Sequence, residues 1–326
     1  MRVIIPNYSQ EDNFANNVAY TLLKMGHEVW TVPKPTSLLD HRVMHLMQIG
    51  YEKFFPLKLT PQEKWLKKNH VKLKPDLILA LTQELNEELL GELKTAGAVT
   101  ACWWGDTPAN MRKQGLLVKN WDFIFIKDRF AAQKMRTLGL NTVYMPEAMN
   151  PDWHKKCYTN INSNVCFAGN AYSYRHFLIR RMLDCGVKDI VLYGSRPPRW
   201  SDPLVSRTYQ HKFIVKEEKS RIFGESLACI NSTSMTEGNS LNCRTFEIAG
   251  AAGLQIMEYR QAIEDCFEPG SEMLSFSSVE ELTELLGRYK RDVREAEEIR
   301  MAGYRRANAE HTYKHRLEKI LGYVKS

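Results

Sequence analysis

Arg244 and Glu247 lie three residues apart in the stretch SLNCRTFEIAGAAG, whose apolar spacing predicts a helix. Asn242 is a suitable N-cap for that helix, and the N–H groups of the first turn would be unsatisfied and partly positive. Such a helix start favours a phosphate group, and Arg244 would add a positive charge. The Glu247 carboxylate could accept hydrogen bonds from the two hydroxyls of a ribose. The spacing therefore fits a nucleotide, and it fits equally well an ordinary surface ion pair between residues i and i+3.

Strand and helix patterns alternate in both halves of the chain. Apolar strand patterns occur in the first half in MRVIIPN, EVWTVP, PDLILALT, GAVTACWW, FIFIKD and TVYMPEA, and in the second half in NVCFAG, DIVLYG, KFIV, LACINST and MLSFS. Helical patterns separate many of them, which indicates βαβ units and parallel sheets. The alternation stops near residue 150, in the polar segment MNPDWHKKCYTNINS. We therefore predict two doubly wound α/β domains, 1–150 and 151–326, facing each other across a cleft.

In sheets of this kind, ligands bind beyond the carboxyl ends of the strands. This rule selects a few loops of the sequence as candidate binding segments: NYSQEDN, WWGDTP, AGNAYSYR, YGSRPPRW and STSMTEGNSLN. Much of the unusual polar and glycine content of the chain falls in these loops. The last of them leads directly into the helix that carries Arg244 and Glu247.

The totals exclude several classes of protein. With 326 residues, the chain exceeds the length at which single cores usually stop growing. No apolar run is long enough for a membrane span, and MRVIIPN is too short for a signal peptide. The seven cysteines are widely spaced and contain no C-x-x-C pair, which argues against a zinc site or a disulfide framework and favours the cytoplasm. The histidines show no metal-ligand spacing, so we expect no metal and no resident cofactor.

The positive charge of the chain is unevenly distributed. The formal net charge is +7, and seven lysines against one acid, Glu63, lie between Lys53 and Lys74. A lysine-rich segment with interleaved aromatic residues fits a surface that follows a nucleic-acid backbone. It also fits a solvated helix face, which is the more common explanation.

Five segments, in order, resemble the glycosyltransferase group 1 domain and the amino-terminal half of CgeB-like (spore maturation type) glycosyltransferases. SLNCRTFEIAGAAG is similar to the N-x-R-x-F-E segment of that family, and EHTYKHRLEKIL to its closing H-T-Y-x-x-R motif. NVCFAGNAYSYR, PEAMNPDW and WWGDTP resemble a strand-turn, a linker and an amino-terminal loop of such transferases. The resemblance implies a GT-B fold, with two facing Rossmann-like domains. It also implies an activity that moves a sugar from a nucleoside diphosphate sugar to an acceptor hydroxyl without a metal. We expect the donor to be a UDP-sugar.

The resemblance also implies roles for individual residues. Glu247 would hold the ribose, whereas Arg244 and the helix start at Asn242 would hold the diphosphate. EGNSL is similar to the E-G-x-G-L loop of retaining relatives, although Glu237 lies ten rather than eight positions before Glu247, which puts its contact with the sugar in doubt. The implied donor site consists of Gly169, Asn170, Arg175, Gly194, Ser195, Glu237, Gly238, Asn239, Ser240, Leu241, Asn242, Arg244 and Glu247.

Glycosyl transfer requires positive groups for the leaving diphosphate, and an inverting reaction also requires a general base. Arg244 is the candidate for the first role, with help from Lys127 or Arg175. Asp106 in WWGDTP is the candidate base, and an aspartate that caps the turn before Pro108 is the competing interpretation. The predicted acceptor side consists of Asp12, Asn13, Trp103, Trp104 and Lys127, in which the two indoles would stack on an acceptor ring or belong to the core.

These motifs do not indicate which molecule is the acceptor. The basic segment 53–74 motivates one version of the enzyme, a DNA glycosyltransferase that acts on a hydroxymethylated base. A sugar-nucleotide epimerase would share the architecture but would need a pair of acid/base residues around the sugar. A non-catalytic module that binds a sugar nucleotide is the third alternative.

Overall fold

A computed structural model describes residues 1–33, 59–111, 115–170 and 172–325. The described residues form two compact units. Unit 1 comprises Met1–Ile126, Phe130–Met145 and Leu317–Ser326, and unit 2 comprises Lys127–Arg129 and Pro146–Arg316. Lys53 and Lys58 of the basic segment lie outside the described residues.

Unit 1 is built on a parallel sheet of six strands in the order β2-β1-β3-β4-β5-β6. The strand pairings in this sheet, among the described residues, are parallel, as the βαβ pattern predicts. The strands are β1 Arg2–Tyr8, β2 Glu28–Val32, β3 Leu77–Leu81, β4 Val99–Trp104, β5 Phe123–Ile126 and β6 Thr142–Tyr144. The helices are α1 Phe14–Lys24, α2 Pro61–Leu73, α3 Glu87–Thr95 and α4 Arg129–Thr137.

Unit 2 is built on a second parallel sheet, of five strands in the order β11-β10-β9-β7-β8. Its strands are β7 Val165–Ala168, β8 Ile190–Tyr193, β9 Ala228–Asn231, β10 Gln255–Glu258 and β11 Leu274–Phe276. Its helices are α5 Ser173–Asp184, α6 Pro203–Ser206, α7 Lys216–Glu225, α8 Cys243–Gly250, α9 Val279–Arg291 and α10 Val293–Glu310, and α11 Tyr313–Lys325 closes the chain. The predicted α/β class with parallel sheets is thus confirmed.

The strands that point toward the candidate site are almost fully apolar and buried. β7 is buried along its whole length, and so is β9, which ends in Asn231. Burial on both faces is typical of strands in a parallel sheet covered by helices. The loops that begin at Gly169 and Ser232 therefore start at the carboxyl edge of the sheet, next to the polar side chain of Asn231.

Two details of the sequence reading differ from the structure. KFIV, residues 212–215, forms no strand. Its backbone makes a single hydrogen bond next to β8, in which the N–H of Gly194 donates to the carbonyl of Lys212 at 2.9 Å, and it does not continue as a strand of the sheet. The tail 317–326 groups with unit 1 rather than with the second domain. The reason is the packing of α11 in that unit, where the Tyr323 ring lies 5.8 Å from the ring of Phe125.

Among the described residues, no helix combines the length and the apolar character that a membrane crossing requires.

Candidate functional site

The start of α8 is fixed by a pair of asparagines. The Asn242 side chain caps the helix by accepting from the N–H of Thr245 at 3.2 Å, as the sequence predicts. Asn231, at the end of β9, exchanges two amide hydrogen bonds of 3.1 Å with Asn242. Asn231 Oδ1 also accepts from Arg244 Nη1 at 3.2 Å. One buried side chain on β9 therefore orients both the cap and the cation of the helix start.

Arg244 lies directly over Gly169, the first residue after β7. The guanidinium occupies the space that a Cβ of Gly169 would need, and the φ of Gly169 is +108°. The φ of Gly194 is +152°, and a Cβ there would overlap the carbonyl of Gly169. Glycine is required at both positions because the backbone and Arg244 approach each other closely. Ser195 follows this contact and is half-buried.

Arg175 brings a second guanidinium to the same place. Its side chain is buried, and it donates to Ser232 Oγ and to the Ser232 carbonyl, each at 2.8 Å, and to the carbonyl of Asn170. Burial, followed by the nearby charge of Arg244, lowers the pKa of Arg175 to about 10. Two cations held together at a half-exposed edge repel each other, and an anion bound between them and the α8 start would relieve that repulsion.

Glu247 is paired with groups other than Arg244. Its Oε1 lies 2.7 Å from Lys219 Nζ on α7 and 3.8 Å from Nε2 of His154, and its side chain is 8% exposed. Arg244 and Glu247 thus bind different partners, and within the described residues they do not form the surface pair that the spacing also allowed. A ribose at Glu247 would share this carboxylate with Lys219.

Glu237 is paired with a buried lysine. Lys127, immediately after β5, lies 2.5 Å from Glu237 Oε1 and 3.6 Å from Glu147 Oε2. Its side chain is only 2% exposed, and it belongs to unit 2. Lys127 is thus paired with two acids of unit 2, and its predicted place on the acceptor side stays a prediction. The pKa of Lys127 is raised above its usual value. Burial acts to lower this pKa, but the charges of Glu147 and Glu237 outweigh the effect of burial.

The rest of the loop before α8 supports its own conformation. Arg260 Nη1 donates to the carbonyls of Gly238 and Ser240, and the Ser240 hydroxyl donates to Glu237 Oε1 at 2.8 Å. Asn239 Oδ1 accepts from the backbone N–H of Ala262 at 2.7 Å. Leu241 is buried in the core of unit 2. The side chains of Asn239, Ser240 and Leu241, predicted to bind the donor, thus serve to hold the loop.

Glu147 is a residue of the site that the sequence analysis missed. Its Oε2 lies 3.6 Å from Lys127 Nζ, and its side chain is 9% exposed. Burial is the main cause that raises the pKa of Glu147 to about 7, with Lys127 opposing and Glu237 and Glu247 adding to the rise. The sequence signal that could have identified Glu147 is its position as the first carboxylate after the β6 strand pattern in TVYMPEA.

Arg316 in the closing motif holds the segment that carries Glu147. Its Nε donates to the carbonyls of Pro146 and Glu147 at 3.1 and 3.3 Å, and an Nη2 contact of 2.9 Å joins it to Nδ1 of His311. Burial, followed by the charge of Arg316, lowers the pKa of His311 to about 3. The closing motif, which the sequence analysis identified only by its resemblance to the family, therefore holds the backbone of Pro146 and Glu147 in place.

Trp103 and Trp104, at the end of β4 in unit 1, are both buried. The Trp103 ring packs edge-on against Phe14 at 4.8 Å, and its Nε1 donates to the carbonyl of Met145. Trp104 donates to the carbonyl of Thr107 at 3.4 Å. Both indoles are at most 3% exposed. Of the two predicted roles, this burial favours a place in the core over stacking on an acceptor ring.

Asp106 has the hydrogen bonds of a turn-capping aspartate. Its Oδ1 accepts from the N–H of Thr107 at 2.7 Å, and its Oδ2 accepts from Asn110 Nδ2 at 2.8 Å. These bonds favour the turn over the general base, since both carboxylate oxygens already have donors.

Asp12 and Asn13 form the loop before α1. The φ of Asp12 is +57°, and its Oδ1 accepts from Asn17 Nδ2 at 3.4 Å. The Asn13 side chain caps α1 by accepting from the N–H of Asn16 at 2.8 Å. The structure thus gives both residues a role in shaping the loop.

Comparison with known proteins gives the fold and a family match. Residues 175–322 match the family model described as Glycosyl transferase-like. No curated protein matches the chain by sequence. Sucrose-phosphate synthase from Thermosynechococcus elongatus superposes with a TM-score of 0.69 at 10% identity, over 99% of this chain and 98% of that one. Anabaena Alr3699/HepE, solved in complex with UDP-glucose, gives a TM-score of 0.67 at 9% identity over 99% of both chains.

A third similar structure, α,α-trehalose 6-phosphate synthase from Burkholderia multivorans, has a TM-score of 0.62 at 12% identity and covers 100% of this chain and 98% of its own. These proteins are GT-B glycosyltransferases, so the predicted GT-B fold is confirmed. The family match extends over α5 to α11 and includes Arg175, Arg244 and Glu247. That region therefore has the sequence pattern of the Glycosyl transferase-like family model.

Proposed function

We propose that this protein is a glycosyltransferase that transfers a sugar from a nucleoside diphosphate sugar to an acceptor hydroxyl. The observation that carries the proposal is the meeting of the Arg175 and Arg244 guanidiniums at Gly169, at the carboxyl edge of the sheet in unit 2, where Arg244 belongs to the capped start of α8. A diphosphate supplies the negative charge that this arrangement lacks.

The same groups account for the chemistry. As the glycosidic bond to the donor breaks, negative charge accumulates on the leaving diphosphate while the sugar becomes oxocarbenium-like. Arg244 is the more exposed of the two guanidiniums and stabilises that charge, and the buried Arg175 fixes the turn beneath it. Glu247 binds the ribose in exchange for part of its contact with Lys219. The two arginines and the helix start take the place of a metal, so we propose that transfer is metal-independent.

The donor is proposed to be a UDP-sugar, because Alr3699/HepE, which shares the fold, was solved with UDP-glucose. The proposal is tested by calorimetric titration with UDP and UDP-glucose in the presence of EDTA, followed by an assay for slow hydrolysis of the sugar nucleotide. We expect binding and hydrolysis in EDTA, both reduced by Arg244→Ala. Arg221→Ala on the exposed face of α7 is the matched control and should change neither.

Three outcomes of this assay separate the alternatives. Binding that requires Mg²⁺ or Mn²⁺ would contradict the metal-free mechanism. Binding without turnover of any sugar nucleotide would support a non-catalytic module. Conversion of UDP-glucose to an epimer would contradict transfer and support an epimerase.

For the acceptor, a base in DNA is the alternative that the basic segment motivates. Lys64, Lys67 and Lys68 are exposed on α2, although Lys67 is paired with Glu92 at 2.6 Å. If these lysines follow a DNA backbone, affinity falls steeply with salt through counterion release, and their joint neutralisation flattens that dependence. Such a variant should leave hydrolysis of UDP-glucose unchanged. A mobility-shift titration that shows no DNA binding at low salt would contradict a DNA acceptor. The acceptor would then be a saccharide, a protein or a small molecule, among which the CgeB-like motifs do not distinguish.

A further inference from the structure

The loop that follows β8, residues 195–202 (the β8 loop), is bound at its far end by His176 on α5. The imidazole Nε2 lies 3.0 Å from the backbone nitrogen of Asp202 and 3.1 Å from the hydroxyl oxygen of Ser201. The Ser206 hydroxyl donates in turn to the Ser201 hydroxyl at 2.7 Å. Because His176 is only 6% exposed, these hydrogen bonds connect the loop to the interior of unit 2.

The hydrogen bond from Asp202 fixes the protonation state of the ring. A backbone N–H can only donate, so Nε2 of His176 must accept and can carry no proton. The imidazole that binds the loop is therefore neutral, with its proton on Nδ1. A second proton, added to Nε2, would point at the N–H of Asp202, and this hydrogen bond would be lost. The geometry thus distinguishes neutral from protonated His176.

The groups that face His176 act on its protonation in opposite directions. The Trp200 ring packs edge-on against the imidazole at 5.0 Å, and the Tyr209 ring lies 6.5 Å away. The Asp202 carboxylate favours the protonated ring, but it also lies 3.6 Å from a guanidinium nitrogen of Arg180. Burial outweighs the Asp202 charge and lowers the pKa of His176. The held loop therefore favours the neutral ring.

The near end of the β8 loop begins at the proposed diphosphate site. Gly194, which precedes the loop, packs against the carbonyl of Gly169, and Gly169 lies beneath the guanidinium of Arg244. Ser195, the first residue of the loop, belongs to the donor site that the family resemblance implies. The β8 loop therefore extends from the place where the guanidiniums meet to the ring of His176.

We propose that neutral His176 is a positioning residue that holds the β8 loop at the donor site, and that its protonation releases the loop and weakens binding of the sugar nucleotide. The effect on binding rests on the proposed function, whereas the release of the loop does not. A proton from solvent forms a bond to Nε2, the hydrogen bond from the Asp202 N–H breaks, and no other covalent bond changes. Because the held loop disfavours this proton, it is most stable above the usual histidine pKa of 6.5 and loses stability as the pH falls below that value.

Hydrogen–deuterium exchange of the ligand-free protein tests the release directly. We compare the β8 loop at about pH 7.5 and about pH 5.5, after correction for the intrinsic exchange rate, and expect protection of the Asp202 N–H to fall at least about threefold. His176→Gln provides an acceptor oxygen that does not titrate, so protection should be retained at both pH values. His176→Phe has no acceptor and should lose protection at both. His27→Gln, a change of a half-buried histidine in unit 1, is the matched control and should behave as the wild type.

Calorimetric titration with UDP-glucose at the same two pH values tests the effect on binding. Both phosphates of UDP-glucose are esterified on two sides and lack the second ionisation near pH 6 of a terminal phosphate. At the lower pH, the affinity of the wild type should fall at least about threefold relative to that of His176→Gln. Other groups of the site titrate in both proteins, so their effect cancels in this ratio. His27→Gln should follow the wild type.

The outcomes separate the inference from the proposed function. Equal protection of the Asp202 N–H at both pH values in the wild type, or the same loss in His176→Gln, would overturn the inference. Release of the loop with an unchanged ratio of UDP-glucose affinities would overturn its effect on the donor. Failure of the wild type to bind UDP or UDP-glucose at either pH would overturn the proposed function, whereas the exchange result would still decide the release.

If the variants fail to fold, the wild type alone provides a test. The nitrogen chemical shifts of the His176 imidazole report which ring nitrogen carries the proton. We expect an unprotonated Nε2 and a protonated Nδ1 at about pH 7.5. A proton on Nε2 at that pH would overturn the inference, because the Asp202 N–H would then have no acceptor there.

Discussion

The guanidinium of Arg316 donates to the backbone carbonyl of Glu147 at 3.3 Å, although the two residues are 169 positions apart in the chain. The same Arg316 Nε donates to the carbonyl of Pro146, and its Nη1 donates to the carbonyl of Glu310. The segment that carries Glu147 is therefore fixed by a residue of the closing helix motif.

Replacement of Arg316 by alanine should destabilise unit 2. Buried carbonyls would lose charged donors, which costs about 3 kcal/mol in the free energy of unfolding. Scanning calorimetry measures the transition of unit 2, and Arg294→Ala, whose side chain is 92% exposed, is the control with an expected change of less than about 0.5 kcal/mol. Equal stability of the two variants would show that Arg316 does not hold the segment.

Substitution of Gly169 by alanine should weaken the binding of UDP-glucose at least about tenfold. The new methyl group would occupy the position of the Arg244 guanidinium, which would have to move away from the start of α8. Gly186→Ala is a matched control, because Gly186 also has a positive φ, of +80°, but open space around its Cβ position. Both variants carry the backbone strain of about 1–3 kcal/mol. If both bind UDP-glucose equally well, the contact with Arg244 is irrelevant to the ligand.

Glu247 and Arg244 should differ in which kinetic constant they affect. Glu247→Gln removes the charge that holds a ribose and should lower nucleotide affinity about tenfold or more. Arg244→Ala should reduce turnover more than donor binding, because charge on the leaving diphosphate is greatest in the transition state. Steady-state kinetics of UDP-glucose hydrolysis, together with titration by UDP, separate the two effects. A loss of thermal stability in both variants, with unchanged UDP binding, would assign them structural roles only.

Asp106→Ala should destabilise unit 1 by about 1 kcal/mol, since the turn loses its cap. Asp106→Asn should restore most of that loss, because the amide oxygen can still accept from the N–H of Thr107. We expect UDP-glucose hydrolysis to be unchanged in both variants. With an acceptor present, a hundredfold drop in transfer by a folded Asp106→Asn would show that Asp106 is the general base after all.

The stability of unit 2 should depend on the protonation of Glu147. The pKa of Glu147 in the folded state is about 7, above its usual value of 4.5, so its contribution is fully present below pH 4.5 and is lost as the pH rises to about 7. The loss by linkage is on the order of 3 kcal/mol. Glu147→Gln has no proton to lose, so its stability relative to the wild type should rise by this amount between pH 4.5 and 8. Urea unfolding at several pH values measures the difference, and parallel pH profiles of the two proteins would contradict it.

The sequence by itself determined the features that depend on neighbouring residues. The apolar patterns of β7 and β9 predict buried parallel strands, and Asn242 caps α8 as its position before Arg244 indicates. The fold class followed because alternating strands and helices have few ways to cover both faces of a sheet. Arg244 was found because it stands in the first turn of a predicted helix, whereas Arg175 was implied by the resemblance of NVCFAGNAYSYR to a family motif.

Only the tertiary structure decided which charges meet and which side chains are covered. Lys127, Glu147 and Glu237 come from three distant segments, and no local pattern could indicate that one lysine is shared by two acids. The position of Trp103 at a strand end is compatible with stacking on a ligand and with packing in the core. Only the structure shows that the Trp103 ring packs against Phe14. The protonation of Glu147 is likewise a property of the folded state, since burial and the positions of its neighbours set its pKa.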